Sequence, residues 1–192
     1  FRNSHEGIER KRKLFTAYVS IMLLAFVGRT TLRNYLYNDS ARDLNTHNYV
    51  AAKKKLDLAT NIDGGFSYGW DRLARVEFRT NDSENAERHW LLALKKKPDL
   101  VSAKVGLSSI YMKSGQYEKA KILLNSARRL APRDIATLIN LGHINLVLGK
   151  KDCAIENFNK AVTLSGGDVT VCKAVTNALY QADISDYKKK QK

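Results

Sequence analysis

A pattern of apolar and small residues recurs every 34 positions in three consecutive segments, 67–100, 101–134 and 135–168, without a gap. This recurrence constrains the fold more than any other feature. A period of about 20 to 50 residues indicates stacked supersecondary units, each of which buries its apolar face only against its neighbours. The recurring residues are Leu73, Leu107 and Leu141; Ala86, Ala120 and Ala154; Trp90, Leu124 and Phe158; and Ala93, Ala127 and Ala161.

Turn signals divide each segment into two helices. Gly115 and Gly149 stand at position fifteen of their segments, where a residue with positive φ ends a helix. Asn81 holds the same position in the first segment, and asparagine tolerates this left-handed conformation. Pro98 and Pro132 stop the second helix, because proline cannot continue it.

The 34-residue helix–turn–helix unit and its pattern of Trp, Leu, Gly, Tyr, Ala, Phe, Ala and Pro resemble the tetratricopeptide repeat. Lys104 departs from the pattern, because Trp is usual there. The resemblance implies an all-α superhelix of helical hairpins with three full repeats. Residues 33–66 are predicted to form a degenerate repeat, with Asp39 where Leu is usual, and residues 169–185 a capping helix before a basic tail, 186–192.

One strongly apolar segment precedes the array. Residues 14–28 carry no charge and are flanked by Lys13 and Arg29. A helix of this length covers about 22 Å, less than the hydrocarbon core of about 30 Å. Snorkelling of the flanking cations, with residues 30–32 continuing the helix, makes up much of the shortfall. We therefore predict a single transmembrane helix at 14–32 after a basic segment, 1–13; a buried or interfacial helix is the alternative.

Basic residues suggest the orientation of this anchor. Arg10, Lys11, Arg12 and Lys13 precede it directly and are candidates for contact with anionic lipid. The positive-inside bias predicts that the N-terminus stays in the matrix or cytoplasm. The basic N-terminal segment and the start at Phe1 rather than Met favour the mitochondrial inner membrane over the bacterial inner membrane.

The resemblance also implies a groove, because the first helices of such repeats line the concave face. Its basic N-terminal end and apolar C-terminal end suit a protein segment with acidic residues followed by aliphatic ones. Two alternatives remain: the arginines form a solvated face, and Met112, Leu146 and Val147 are covered by local packing. The candidate partner-binding residues are Tyr68, Arg72, Arg75, Phe78, Arg79, Val105, Ser109, Met112, Lys113, Ile139, Asn140, His143, Leu146 and Val147.

No pattern in the sequence indicates catalysis, a cofactor or a metal. The four histidines have no metal-ligand spacing, and there is no glycine-rich phosphate loop. Cys153 and Cys172 are not arranged as a zinc-binding pair, and both are predicted to be small buried residues. We therefore expect the chain not to be an enzyme.

Together these features predict a membrane-anchored scaffold for protein–protein interaction, serving as an accessory or assembly subunit of a larger membrane complex. One alternative is a protein-import receptor, although Arg72, Arg75 and Arg79 would repel basic targeting peptides. Another is a soluble RNA-associated protein, because the net charge is +14. Nucleic acid is disfavoured, since the repeats show neither a base-reading pattern nor interleaved aromatic residues.

Overall fold

The computed structural model describes the backbone of residues 2–190 and the side chains of residues 12–183. Every regular element in this part of the chain is an α-helix, as predicted. The helices are α1 (Arg2–Asn45), α2 (Tyr49–Ile62), α3 (Ser67–Arg79), α4 (Ser83–Lys96), α5 (Val101–Lys113), α6 (Tyr117–Leu130), α7 (Ile135–Val147), α8 (Lys151–Leu164) and α9 (Val169–Lys190).

Consecutive helices form antiparallel hairpins that close in the same way each time. The turn residue has φ of 65° at Asn81, 74° at Gly115 and 73° at Gly149, which confirms the three predicted positive-φ positions. The next residue then donates its N–H back into the last turn of the first helix, as from Gln116 to the Tyr111 carbonyl at 2.8 Å. His47, with φ of 59°, closes α1 against α2 at the same repeat position.

Small residues allow close packing within the hairpins, and one large residue fills the space between them. The alanines at positions twenty and twenty-seven are fully buried in every hairpin. A Cβ added to Gly142 would lie 2.4 Å from Phe158 Cε1, so this helix pair requires glycine there. The large residues at position twenty-four are all buried: Leu56, Trp90, Leu124 and Phe158.

The final helix covers the last hairpin. Val175 and Ala178 of α9 pack against Ala154 and Phe158 of α8. The backbone of α9 is helical to Lys190, beyond the predicted end at residue 185. The side chains of the predicted basic tail, 186–192, lie outside the described residues.

The hairpin α1–α2 has polar contacts where the other hairpins are apolar. Lys55 Nζ lies 2.6 Å from Asp39 Oδ2 and 2.7 Å from Asp43 Oδ2, so an ion cluster occupies the usual leucine site. α1 is continuous from Arg2 to Asn45. The apolar segment and the first helix of this hairpin are therefore one helix.

The apolar part of α1 projects from the array. An 18-residue window within residues 12–45 has a mean hydropathy of 1.5, and none of it is buried. Leu24 is 73% exposed and Phe15 is 68% exposed. Among the described residues this is the one helix long and apolar enough to cross a membrane, and the array does not cover it. Arg12 and Lys13 are exposed, whereas the side chains of Arg10 and Lys11 lie outside the described residues.

Candidate partner-binding groove

The first helices α3, α5 and α7 bring several predicted groove residues together around a cavity of about 360 Å³, here called the central cavity. Arg75 and Ser109 both stand at position nine of their repeats, and Ser102 and Ala136 both stand at position two, so the periodic sequence builds part of the wall. Trp90 of α4 also lines this cavity. The other lining residues are Arg75, Phe78, Ser102, Val105, Gly106, Ser109, Asp134 and Ala136.

A buried carboxylate that sequence reasoning did not select organises one end of the central cavity. Asp71 accepts hydrogen bonds from Trp90 Nε1 at 2.9 Å, Ser102 Oγ at 2.8 Å and Arg75 Nη2 at 3.0 Å. These donors compensate the cost of burying a charged group. The same contacts join α3 to α4 and α5, and they orient the Arg75 guanidinium.

The second carboxylate of the cavity is also engaged within the fold. Asp134 caps α7: its Oδ2 accepts from the Thr137 backbone N at 2.8 Å and from Thr137 Oγ1 at 2.5 Å. The carboxylates Asp71 and Asp134 therefore have their hydrogen-bonding capacity largely used. Arg79 is exposed and available to an anionic ligand, and Arg75 is exposed although its Nη2 pairs with Asp71.

Arg72 lies away from the central cavity, although the sequence placed it with Arg75 and Arg79. Its guanidinium stacks on Tyr37 of α1, with Cζ 3.5 Å from the ring centroid, and Nη1 donates to the Tyr37 carbonyl at 2.5 Å. Burial lowers the pKa of Arg72 from its usual value. Arg72 therefore ties α3 to α1. Lys113 is exposed and donates to Asn81 Oδ1 at 2.6 Å.

The apolar end of the predicted groove forms a second cavity of about 600 Å³ between α7 and α9, here called the C-terminal cavity. His143, Leu146 and Val147 line one side of it. The His143 ring makes an edge contact with Phe158, with centroids 5.6 Å apart. Burial lowers the pKa of His143 from its usual value of 6.5, which favours the neutral imidazole.

Sequence reasoning missed the contribution of α9 to the C-terminal cavity. Ala174, Asn177, Ala178 and Gln181 line its other side. Continuing the 34-residue register from residue 169 puts Asn177 and Gln181 at positions nine and thirteen, which are groove positions in the full repeats. The sequence therefore carries this signal, although it predicts residues 169–185 only as a capping helix.

The remaining predicted groove residues divide between packing and exposure. Met112 packs against the Leu124 cluster, and Ile139 and Leu146 pack against the Phe158 cluster, as the local-packing alternative expected for Met112 and Leu146. Val147 is 54% exposed. Tyr68 is exposed with Lys97 Nζ 5.2 Å from its ring centroid, and Asn140 Nδ2 donates to Ser109 Oγ at 3.3 Å.

The two cysteines differ from the sequence expectation. Cys153 is exposed and Cys172 is partly buried, so the prediction that both are buried was wrong. Position nineteen, which Cys153 holds, also carries the exposed Lys119 in the preceding repeat. Within residues 12–183 no three His, Cys, Asp or Glu side chains come together as a candidate metal site.

Residues 101–134 and 135–168 each match the family model of the tetratricopeptide repeat. These two segments are tetratricopeptide repeats. Such repeats mediate protein–protein interactions as scaffolds and are in general not enzymes. No curated protein matches the chain.

Solved structures show the same tetratricopeptide fold. PilF of Pseudomonas aeruginosa is 24% identical with a TM-score of 0.69, over 80% of this chain and 70% of that one. TTC0263, a thermophilic tetratricopeptide protein of Thermus thermophilus, is 17% identical with a TM-score of 0.71, over 82% and 89%. The structure of the anaphase-promoting complex hetero-tetramer Cut9–Hcn1 is 18% identical with a TM-score of 0.67. The match covers 77% of this chain and 30% of that one. At these identities the likeness shows the fold alone.

Proposed function

We propose that the chain is a membrane-anchored scaffold, an accessory or assembly subunit of a larger membrane complex. In this proposal residues 14–32 cross the bilayer and the concave groove binds a segment of a partner protein. The continuity of α1 is the main support: one uninterrupted helix carries the exposed apolar segment and forms half of the first hairpin. The groove would therefore be held close to the bilayer surface.

The exposure of the apolar segment supports the anchor. Leu14, Ile21, Leu24 and Phe26 are all more than half exposed. Burying one large apolar side chain contributes about 1.5–3 kcal/mol, so leaving these in water would be costly. Because exposed apolar residues occur on every side of this helix, a bilayer can cover all of them. Arg29, which donates to the Ile62 carbonyl at 2.9 Å, joins the helix to the array.

The charges around the groove support a partner segment that is acidic and then aliphatic. Asp71 and Asp134 are engaged by donors inside the fold. Arg75 and Arg79 are exposed at the same end of the groove, whereas Leu146 and Val147 line the C-terminal cavity at the other end. An extended or helical peptide with this order of side chains would meet complementary surfaces along its length.

Fluorescence anisotropy with the full chain in detergent micelles tests the groove. We expect an acidic–aliphatic peptide to bind more tightly than a basic amphipathic peptide of equal length. Arg79→Gln should weaken binding of the acidic peptide about two- to fivefold, the effect of losing about 0.5–1 kcal/mol from one exposed ion pair. Arg88→Gln, which removes an equal charge from α4, is the matched control. Preference for the basic peptide would instead indicate a targeting-peptide receptor.

Membrane extraction tests the anchor separately. The full chain should stay in the pellet after an alkaline carbonate wash, because its apolar helix is held by the hydrocarbon core. Recovery in the soluble fraction would contradict the anchor. We place the protein in the mitochondrial inner membrane, in preference to a bacterial inner membrane, on the basis of its basic N-terminal segment; fractionation of cells that express the gene natively tests this placement.

A further inference from the structure

The array has two long edges, because its helices alternate in direction. The connections between hairpins, residues 63–66, 97–100, 131–134 and 165–168, lie along one edge, here called the loop edge. The tight turns within hairpins, at residues 46–48, 80–82, 114–116 and 148–150, lie along the other, here called the turn edge. Every second helix therefore ends at the loop edge.

The apolar part of α1 leaves the array at the loop edge. Arg29 donates to the carbonyl of Ile62, the last residue of α2. One turn further along α1, Arg33 pairs with Asp63 and lies over the Phe66 ring at 4.6 Å. Residues before Arg29 extend beyond the end of α2, so a bilayer that holds them faces the loop edge.

The loop edge is also where exposed basic residues collect. Lys96 stands at the repeat position that Ile62 holds in the first hairpin, so both lie where a second helix ends at the loop edge. Asp99 and Asp168 are the exposed acidic residues along this edge. Five exposed basic residues lie at this edge: Lys95, Lys96, Arg128, Arg129 and Arg133. None of these five forms an ion pair with a residue of the described range 12–183.

The turn edge differs, because its basic and acidic residues are mixed. The second and third hairpins show this most clearly. The charged residues at and beside the turns of the second, third and fourth hairpins are Arg79, Asp82, Glu84, Lys113, Glu118, Lys119, Lys150, Lys151 and Asp152. Positive charge is therefore concentrated on the edge from which the apolar helix projects.

The junction between helix and array has a matching chemistry. A cavity of about 380 Å³ is lined by Met22 and Phe26 on the apolar side and by Arg29 and Arg33 on the cationic side. Asp63, which pairs with Arg33, also lines it, so Arg29 is the cation in this cavity that has no carboxylate partner among the described side chains. A phospholipid meets a protein in this way, with its phosphate beside cations and its upper acyl chain beside apolar groups.

We propose that the loop edge is a lipid-binding surface, and that Lys95, Lys96, Arg128, Arg129 and Arg133 contact anionic phospholipid headgroups of the bilayer that α1 crosses. This inference rests on the proposed anchor. A basic residue close to an anionic surface gains attraction that falls off within a Debye length. The contact would fix the tilt of the array and hence the direction in which its groove opens.

Lysine footprinting of the full chain in vesicles tests the contact. The chain is reconstituted into phosphatidylcholine alone, or with about one-third phosphatidylglycerol, and treated with an uncharged acetylating reagent. In the anionic vesicles acetylation of Lys95 and Lys96 should slow about fivefold, the factor that corresponds to about 1 kcal/mol for one basic residue. Lys54 and Lys150, which are exposed away from the loop edge, should react equally in both.

A charge-matched pair of variants separates this contact from general attraction to the vesicle. Arg128→Gln with Arg129→Gln should restore the reactivity of the two protected lysines, whereas Arg42→Gln with Arg88→Gln, which removes the same charge elsewhere, should not. Salt of about 1 M should also restore it, because the Debye length is then about 3 Å.

The outcomes distinguish this inference from the anchor on which it rests. One outcome is that the chain resists carbonate washing while anionic lipid slows acetylation of Lys95 and Lys96 no more than that of Lys54 and Lys150. That result refutes the lipid-binding edge and leaves the anchor standing. If carbonate removes the chain, both proposals fail.

Discussion

Leu124 offers a direct test of the register in which the repeats stack. It is fully buried on α6, where it packs with Ala120 of its own repeat and with Leu141 and Ile144 of the next. Ile122 lies two residues away on the same helix and is 68% exposed. The two side chains have the same number of carbon atoms. Truncating each to alanine therefore removes the same number of atoms, from the buried core at position 124 and from the exposed surface at position 122.

The structure sets the size of the expected difference. Leu124→Ala removes a buried side chain between two repeats and should cost about 2–5 kcal/mol, because neighbours relax only partly into the cavity. In a chain of this length 1 kcal/mol corresponds to about 2–4 °C in Tm, so the expected loss is about 4–20 °C. Ile122→Ala should change the free energy of unfolding by less than about 0.5 kcal/mol, which is typical of surface positions.

Thermal unfolding of the full chain in mild detergent, followed by circular dichroism at the helical band, measures this difference. Repeat arrays unfold less cooperatively than single domains, so the comparison between the two variants is more informative than either absolute value. Equal shifts for Leu124→Ala and Ile122→Ala would refute the stacking register on which the groove depends.

Three further predictions follow from individual side chains. Gly149→Ala should destabilise the fold by about 1–2 kcal/mol, because φ is 73° and no atom lies near the added Cβ to offset the strain; Gly149→Asn should cost less, as Asn81 adopts the same conformation, and urea titration compares them. Arg72→Ala should lower Tm and leave peptide affinity unchanged, whereas Arg79→Ala should weaken peptide affinity and leave Tm unchanged. Weaker peptide binding by Arg72→Ala would indicate that Arg72 contacts the peptide. Because burial lowers the pKa of His143, the unfolded chain binds its proton more tightly, so stability should fall as the pH drops through about 6.5. His143→Gln should show a smaller loss of Tm between about pH 7.5 and about pH 5.5, and an identical loss would contradict this.

The fold was predictable because its contacts repeat. Each buried alanine and each large residue at position twenty-four occurs four times at one spacing, so the sequence carries the same packing information several times over. The turn at Asn81 was predictable for a related reason, since Gly115 and Gly149 mark the equivalent positions.

Contacts that occur only once could not be predicted from a period. Arg72 reaches Tyr37 in the hairpin where the apolar pattern is weakest, and no other repeat has a matching pair. Asp71 is buried only because Trp90 and Ser102, from two other helices, supply its hydrogen bonds. Spacing along one helix does not reveal such donors.

Photo-crosslinking tests the central proposal, that the groove of the membrane-bound chain binds a protein segment. Benzoylphenylalanine is placed at Ala136, which is exposed in the central cavity, or at Ile122 on the opposite side of the array. The full chain in vesicles is irradiated with a fluorescent acidic–aliphatic peptide. We expect an adduct from position 136 that excess unlabelled peptide abolishes, and none from position 122. Equal labelling at both positions, or labelling at 122 alone, would contradict the proposal.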